Sequence, residues 1–271
     1  MRLSIRRPAF VTAIVIALAS TSPHAETVFG YDFSLNKVVS HDATFIQLTR
    51  SDLNFDSASA FVKTPLQLEP GASFEVMFGF KILGGTNGAD GMTLAFRSDG
   101  PGFIGQTGGN LGFYSVADRD GNPLPFGPAY GIALDTWRNG NYGDTGDNNV
   151  SFLDHTTYQV RKTQAAPYDL NQGSEFFVWA DYDGQNKTMS VFLSDTSSRP
   201  MVPLITDSID LPAWLGSSTY LGITAATGGS TNDHYVTAFS ITPVPEPSAW
   251  SLLAAGLAAL ALIVQRRKVA I

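Results

Sequence analysis

The sequence predicts an all-β fold, an antiparallel β-sandwich or jelly roll, between residues 26 and 243. Its clearest strand is 74–82, where apolar residues alternate with others and therefore share one face. No stretch of this region keeps apolar residues at helical spacing over ten positions. Many short strands joined by Gly, Asp and Asn are typical of two-layer β folds. The other predicted strands are 92–96, 130–136, 150–153, 158–162, 175–182, 188–193, 220–226 and 235–241, with a hairpin turn at 183–186.

Residues 1–25 are expected to form a signal peptide. Arg2, Arg6 and Arg7 precede an apolar run from residue 9 to 19, and a polar stretch with small residues leads to Ala25. A basic N-terminus, a short apolar core and small residues at the cleavage site are typical of a Sec-type signal peptide. A buried N-terminal helix is the alternative interpretation. We expect cleavage after Ala25.

The C-terminal segment, residues 244–271, predicts a transmembrane helix. Residues 249–264 are uncharged and mostly apolar, and as a helix they would cover about 24 Å of a bilayer core of about 30 Å. A basic cluster at 266–268 follows, as expected on the cytoplasmic side. Together with Val-Pro-Glu-Pro at 244–247, this segment resembles the PEP-CTERM sorting tail. That resemblance implies cleavage by a membrane protease, the exosortase, in Gram-negative bacteria that make extracellular polysaccharide. The protein would first be a membrane-anchored precursor and would then reach the cell surface or extracellular matrix.

The central domain, residues 26–243, is acidic and has no cysteine. The whole chain carries a formal charge of −7, and six of its 17 basic residues lie in the two terminal segments. Nucleic acid binding is disfavoured, because phosphate neutralisation needs a basic face. Without cysteine the exported domain has no disulfides, and its length allows it to fold on a hydrophobic core alone.

Four segments, in order, resemble the legume-type (L-type) lectin domain. Residues 88–96 contain Ala-Asp-Gly running into an apolar strand, and residues 108–112 read Gly-Gly-Asn-Leu-Gly. Residues 130–139 are similar to the metal strand and loop of that family, and residues 220–239 to its late loop and closing strand. The resemblance spans residues 28–241 and implies a concanavalin A-like sandwich. It also implies an exported, calcium-dependent carbohydrate-binding protein rather than an enzyme.

The loop after residue 134 contains the candidate calcium ligands. Alternate residues of an extended chain lie on one side, so the Asp135 carboxylate, the Trp137 carbonyl and the Asn139 amide oxygen can converge on one ion. A second carboxylate would come from Asp144 or Asp147, of which Asp144 matches the order in the family better. A hairpin tip without metal is the alternative.

Calcium is the only metal that we expect at this loop. The family commonly holds a transition metal through a Glu and a His, and these positions are Ala133 and Asn149 here. The loop therefore lacks the imidazole and carboxylate that a first-row metal prefers. Because calcium is expected to hold Asp90 in place, its removal should abolish glycan binding while the sandwich stays folded.

The resemblance assigns sugar binding to Asp90, whose carboxylate would accept hydrogen bonds from two sugar hydroxyls. It also implies a cis Ala89–Asp90 peptide bond. Asn139 would donate its amide N–H to a sugar hydroxyl. Trp137 would present its ring to the apolar face of a pyranose, or alternatively pack in the core. The remaining candidates are Gly109, for a backbone N–H at close approach, and Gly228 and Gly229, in a loop that closes the rim.

Two other functions remain open. A glycoside hydrolase needs a pair of carboxyl groups, and no two Glu residues of the domain share a strand at close spacing. A structural matrix or adhesion protein with a degenerate sugar site is the second alternative. The expected partners are glycans or exopolysaccharide and the exosortase. An exposed sheet edge would also allow homo-oligomers to form.

Overall fold

A computed structural model describes residues 30–84, 87–115, 127–140 and 146–244, together with residues 253 and 255–257, which are helical. The predicted signal peptide lies outside these residues, as do Asp144 and most of the predicted C-terminal helix. Among the described residues, no helix has both the length and the apolar character needed to cross a membrane.

The domain consists of antiparallel strands in two sheets, as the sequence predicts. In chain order the strands are β1 (Phe33–Asn36), β2 (Ser40–His41), β3 (Ile46–Thr49), β4 (Ser57–Val62), β5 (Leu66–Gln67), β6 (Ser73–Leu83), β7 (Gly91–Arg97), β8 (Ala129–Asp135), β9 (Asn149–Asp154), β10 (Gln159–Ala165), β11 (Glu175–Asp183), β12 (Thr188–Ser194), β13 (Ile205–Ser208), β14 (Ser218–Ala226) and β15 (Asp233–Val244).

The two sheets have different strand orders. The eight-stranded sheet runs β1-β4-β14-β7-β8-β9-β10, with β5 paired to β14. The seven-stranded sheet runs β13-β12-β11-β6-β15-β3-β2. All nine strands predicted from the sequence are present. The hairpin between β11 and β12 is also present, with its turn at 184–187, one residue later than predicted.

The main core lies between the two sheets. On β6 the predicted alternation holds, and the inward side chains of Phe74, Val76, Phe78, Phe80 and Ile82 are all buried. They pack against inward residues of β7 and β8 from the other sheet. Burying one such side chain stabilises a fold by about 1.5–3 kcal/mol, so this row fixes the register of β6.

Strands β7 and β8 are buried on both faces, unlike β6. Their second face is covered by the segment 103–114, which forms a smaller hydrophobic cluster around Phe113 and Tyr114. Arg97 is fully buried in this layer, ion-paired with Asp99 at 2.7 Å and with its guanidinium 3.3 Å from the centroid of the Phe103 ring. The covering segment thereby places the short 3₁₀ helix Gly108–Asn110 at one end of the eight-stranded sheet.

One short helix, α1 (Leu211–Leu215), has no counterpart in the sequence prediction. The Asp210 side chain accepts a hydrogen bond from the Ala213 N–H at 3.2 Å and caps its start. Five residues are too few for a helical period to be detected. The sequence prediction also missed six short strands, of which two have only two residues each. They are β1, β2, β3, β4, β5 and β13.

Candidate functional site

Five chain segments meet at one end of the eight-stranded sheet. The antiparallel register places Gly91, the first residue of β7, opposite Asp135 at the end of β8 and opposite Ala226 at the end of β14. Ala226 in turn pairs with Ser57, the first residue of β4. The segments that precede β4 and β7, and those that follow β8 and β14, therefore converge. The turn at 108–110 joins them through a Gly108 N–H to Thr227 carbonyl bond of 2.9 Å.

Asp90 occupies the centre of this end of the sheet. The Ala89–Asp90 peptide bond is cis, as the resemblance implies. The Asp90 N–H donates to the Ala226 carbonyl and its carbonyl accepts from the Thr136 N–H, both at 2.9 Å, so the backbone is held between β14 and β8. The residue is 3% exposed.

The Asp90 carboxylate has one hydrogen-bond partner among the described residues. Its Oδ1 accepts from the Asn139 amide at 3.4 Å, while Oδ2 is buried without a partner. Burial raises the pKa of Asp90 to about 6, and the bond from Asn139 opposes this rise. An unsatisfied buried acceptor of this kind costs about 1–3 kcal/mol. The site therefore favours a ligand that brings hydrogen-bond donors.

Asp135, Trp137 and Asn139 form one compact loop at the end of β8. The Asp135 carboxylate accepts from the Trp137 N–H at 3.0 Å, and the Asn139 Nδ2 donates to the Trp137 carbonyl at 3.2 Å. Asp135 is buried, whereas Trp137 is 38% exposed. The alternative that Trp137 packs in the core is therefore wrong, and its ring is accessible to a ligand.

Gly109 and Gly228 are needed because two side chains of the site approach them closely. A Cβ on Gly109 would lie 2.5 Å from Cγ of Asn139, and a Cβ on Gly228 would lie 2.8 Å from Oδ2 of Asp90. Either addition would displace the polar centre. Gly229 has nothing within 4 Å of its Cβ position. Its place on the rim does not by itself demand glycine.

Sequence analysis missed Asn232, a fully buried amide behind the Asp90 loop. In the orientation that satisfies its neighbours, Oδ1 accepts from the Ala89 N–H at 3.2 Å, and Nδ2 donates to the carbonyls of Leu83 at 3.2 Å and Thr231 at 3.1 Å. In that orientation the Asn232 oxygen also faces the buried Asn171 at 2.7 Å and accepts from its amide. Asn232 thus ties the segment that carries Asp90 to the rim loop. A lone Asn before a strand resembles an ordinary turn residue, so the sequence gives no signal for this role.

The calcium ligands predicted from the sequence are only partly described. Asp144 lies outside the described residues, and Asp147 is exposed. Among the described residues, no cluster of three or more His, Asp or Glu side chains is positioned to hold a metal ion. The loop brings the Asp135 carboxylate, the Trp137 carbonyl and the Asn139 amide close together, but Asn139 faces the Trp137 carbonyl with its Nδ2 and not with the oxygen that calcium would take.

An acidic pair, remote from Asp90 in the strand order, lies on the outer face of the seven-stranded sheet. Glu75 and Asp181 are directly opposite on β6 and β11, a cross-strand pair that a search within single strands misses. Arg199 forms ion pairs with both. Burial raises the pKa of Asp181 to about 6, with Arg199 opposing and Glu75 adding to the rise. Because Arg199 bridges both carboxylates, we interpret the three residues as a structural ion cluster.

Two face-to-face antiparallel sheets, with a buried aspartate among loops at one end, define a lectin-like β-sandwich. The matching family is the legume lectin domain, and the match covers residues 28–252. The chain therefore belongs to the legume lectin domain family. Residues 243–268 match the PEP-CTERM protein-sorting motif, which confirms the resemblance seen in the sequence.

Similar proteins support this assignment. A lectin-like protein from Arabidopsis thaliana is 26% identical over 208 residues, covering 70% of this chain and 76% of the relative. The receptor kinase VIII.2 of the same plant, which contains an L-type lectin domain, is 27% identical over 168 residues, covering 61% of this chain but only 23% of the kinase. The solved structure of a Bauhinia forficata lectin in complex with GalNAc has a TM-score of 0.65 at 20% identity. That alignment covers 80% of this chain and 93% of the lectin.

Proposed function

We propose that this protein binds carbohydrate at the site centred on Asp90 and does not hydrolyse it. The observation that carries the proposal is the buried Asp90 Oδ2, which has no hydrogen-bond partner among the described residues. Sugar hydroxyls would supply the missing donors, so the free energy lost by burying this oxygen is recovered on binding. Asn139 lies beside the carboxylate and Trp137 offers an exposed ring, the mixture of polar and apolar contacts that a pyranose needs.

Calcium dependence is part of the same proposal. Asp135, the Trp137 carbonyl and Asn139 would hold the ion, with Asp144 or Asp147 adding a second carboxylate. The bound cation would supply positive charge and fix the loop. Asn139 would then stay against Asp90, and the nearby charge would keep Asp90 ionised as an acceptor.

The tail supports an exported role. Because residues 243–268 match a protein-sorting motif, we propose export with the signal peptide and membrane anchoring through the C-terminal helix. The exosortase would then cleave the tail, and the protein would act at the cell surface or in the matrix. Glycans or exopolysaccharide there would be its ligands.

A glycan array run with calcium and with EDTA tests the proposal. We expect wild type to bind in calcium, and both EDTA and Asp90→Ala to abolish binding without unfolding the domain. Asp195→Ala, at an exposed aspartate outside the site, is the matched control and should bind like wild type. If wild type binds nothing in calcium, the structural matrix alternative is correct. Reducing ends released from a polysaccharide panel would instead show that the protein is an enzyme.

A further inference from the structure

The segment 50–56, which joins β3 to β4, lies against the rim loop of the sugar site. The Phe55 N–H donates to the Gly228 carbonyl at 3.1 Å, and the Asn54 amide donates to the Gly229 carbonyl at 2.8 Å. The Thr227 hydroxyl donates to the Leu53 carbonyl at 3.0 Å. Three consecutive residues of the segment are therefore bonded to three consecutive residues of the rim. This segment therefore borders the rim loop, next to the site centred on Asp90.

Phe55 has an unusual backbone and an unusual environment. Its φ is +54°, in the left-handed region where a bulky side chain is rare and Asn or Gly is preferred. Its side chain does not pack into the core, because the residue is 68% exposed. Neither backbone preference nor burial accounts for a phenylalanine here. The exposed ring is accessible to a ligand.

Phe55 and Trp137 flank the site on opposite sides. In the sheet, β7 lies between β14 and β8, and β4 lies beyond β14. Gly228 follows β14, lies close to Oδ2 of Asp90 and accepts the Phe55 N–H at its carbonyl. Trp137 follows β8, on the other side of β7. Strand spacing puts the segments before β4 and after β8 about 14 Å apart, wider than one pyranose ring. The polar centre therefore lies between two segments that each carry an exposed aromatic residue.

We propose that Phe55 forms a second sugar subsite, in which the apolar C–H face of a neighbouring sugar unit stacks on its phenyl ring. This inference rests on the proposed function, because it extends the site centred on Asp90. With one sugar unit on Asp90 and the next on Phe55, the protein prefers an oligosaccharide or a polysaccharide chain to a monosaccharide. Stacking on one ring increases the affinity by about three- to tenfold.

Two substitutions of Phe55 test the subsite by titration calorimetry in calcium. Phe55→Asn removes the ring and places a residue that tolerates positive φ, so the variant is at least as stable as wild type. Phe55→Tyr keeps the ring and serves as the conservative variant. Met201→Ala, at a fully exposed apolar residue of the loop between β12 and β13, is the matched surface control. The probes are methyl α-D-galactoside, methyl α-D-mannoside and methyl N-acetyl-α-D-galactosaminide, each with disaccharides that extend it.

Wild type, Phe55→Tyr and Met201→Ala are expected to bind the best disaccharide about three- to tenfold more tightly than its monosaccharide. Phe55→Asn should lose this difference while its monosaccharide affinity stays within about twofold of wild type. If Phe55→Asn keeps the full preference, or weakens both probes equally, the subsite is wrong although the protein still binds sugar. If wild type binds neither the probes nor any arrayed glycan, the proposed function fails and the subsite with it.

Discussion

Replacing Asp90 with asparagine is expected to stabilise the calcium-free protein at neutral pH and to abolish glycan binding. Asp90 is buried, and its pKa is raised to about 6 because burial disfavours the charged carboxylate. Above this pH the folded protein must keep a desolvated charge. Asparagine occupies nearly the same volume without that charge.

The magnitude follows from the change in pKa. A folded pKa near 6 against an ordinary value of 3.8 is a difference of about two pH units, or about 3 kcal/mol at pH 7. The folded state binds the proton more tightly, so this stability is fully present below about pH 4 and is lost as pH rises through about 6. Asparagine does not titrate. The unfolding free energy of Asp90→Asn minus that of wild type should therefore be about 2 kcal/mol larger at pH 7 than at pH 4.

Urea unfolding of both proteins in EDTA at pH 4, 5.5 and 7 measures this difference. The new amide introduces a buried donor that costs about 1 kcal/mol, but that cost is independent of pH and cancels in the comparison. A stability difference that stays constant across the three pH values would refute the reasoning. With calcium added, the stability advantage of Asp90→Asn over wild type at pH 7 should become smaller, because the cation stabilises the wild-type carboxylate. Asp195→Asn, at an exposed position outside the site, is the matched surface control.

Three further substitutions test the surroundings of the site. Gly109→Ala places a Cβ 2.5 Å from Cγ of Asn139 and should lower glycan affinity more than tenfold by calorimetry, whereas Gly102→Ala, with nothing within 4 Å, should not. Asn232→Ala leaves a buried N–H and buried carbonyls unpaired, so urea unfolding should show a loss of about 3 kcal/mol together with weaker glycan binding. Arg97→Met leaves its carboxylate partner uncompensated in a largely buried position and should cost about 3–5 kcal/mol by urea unfolding. A smaller loss would show that this ion pair is dispensable.

The extent to which the fold could be predicted depended on how each strand is buried. Strand β6 alternates between core and surface, so its period of two is visible in the sequence. Strands β7 and β8 are buried on both faces and read as short apolar runs between glycine-rich loops. Strands β2 and β5 have two residues each, and their pairing is decided by neighbouring strands rather than by their own sequence.

Proximity of the candidate site residues was predictable where they are close in sequence, and their roles stay predictions. Asp135, Trp137 and Asn139 lie on one extended loop, and the structure brings them together beside Asp90. The contacts of Asn232 with Asn171 join positions 61 residues apart, which no local pattern reveals. The position of Phe55 beside the rim likewise follows from the pairing of β4 with β14.

Strand β15 has a mechanical consequence. It begins at Asp233, beside the rim of the sugar site, and ends at Val244, where the sorting tail starts, a span of about 36 Å. A molecule anchored by its tail as proposed would thus hold the proposed sugar site about 36 Å along β15 from the start of that tail. Tension between a captured polymer and the anchored tail would load β15 lengthwise against β6 and β3, its two hydrogen-bonded neighbours. Many backbone hydrogen bonds of β15 would then share the force at once. We therefore expect the domain to resist pulling in this direction.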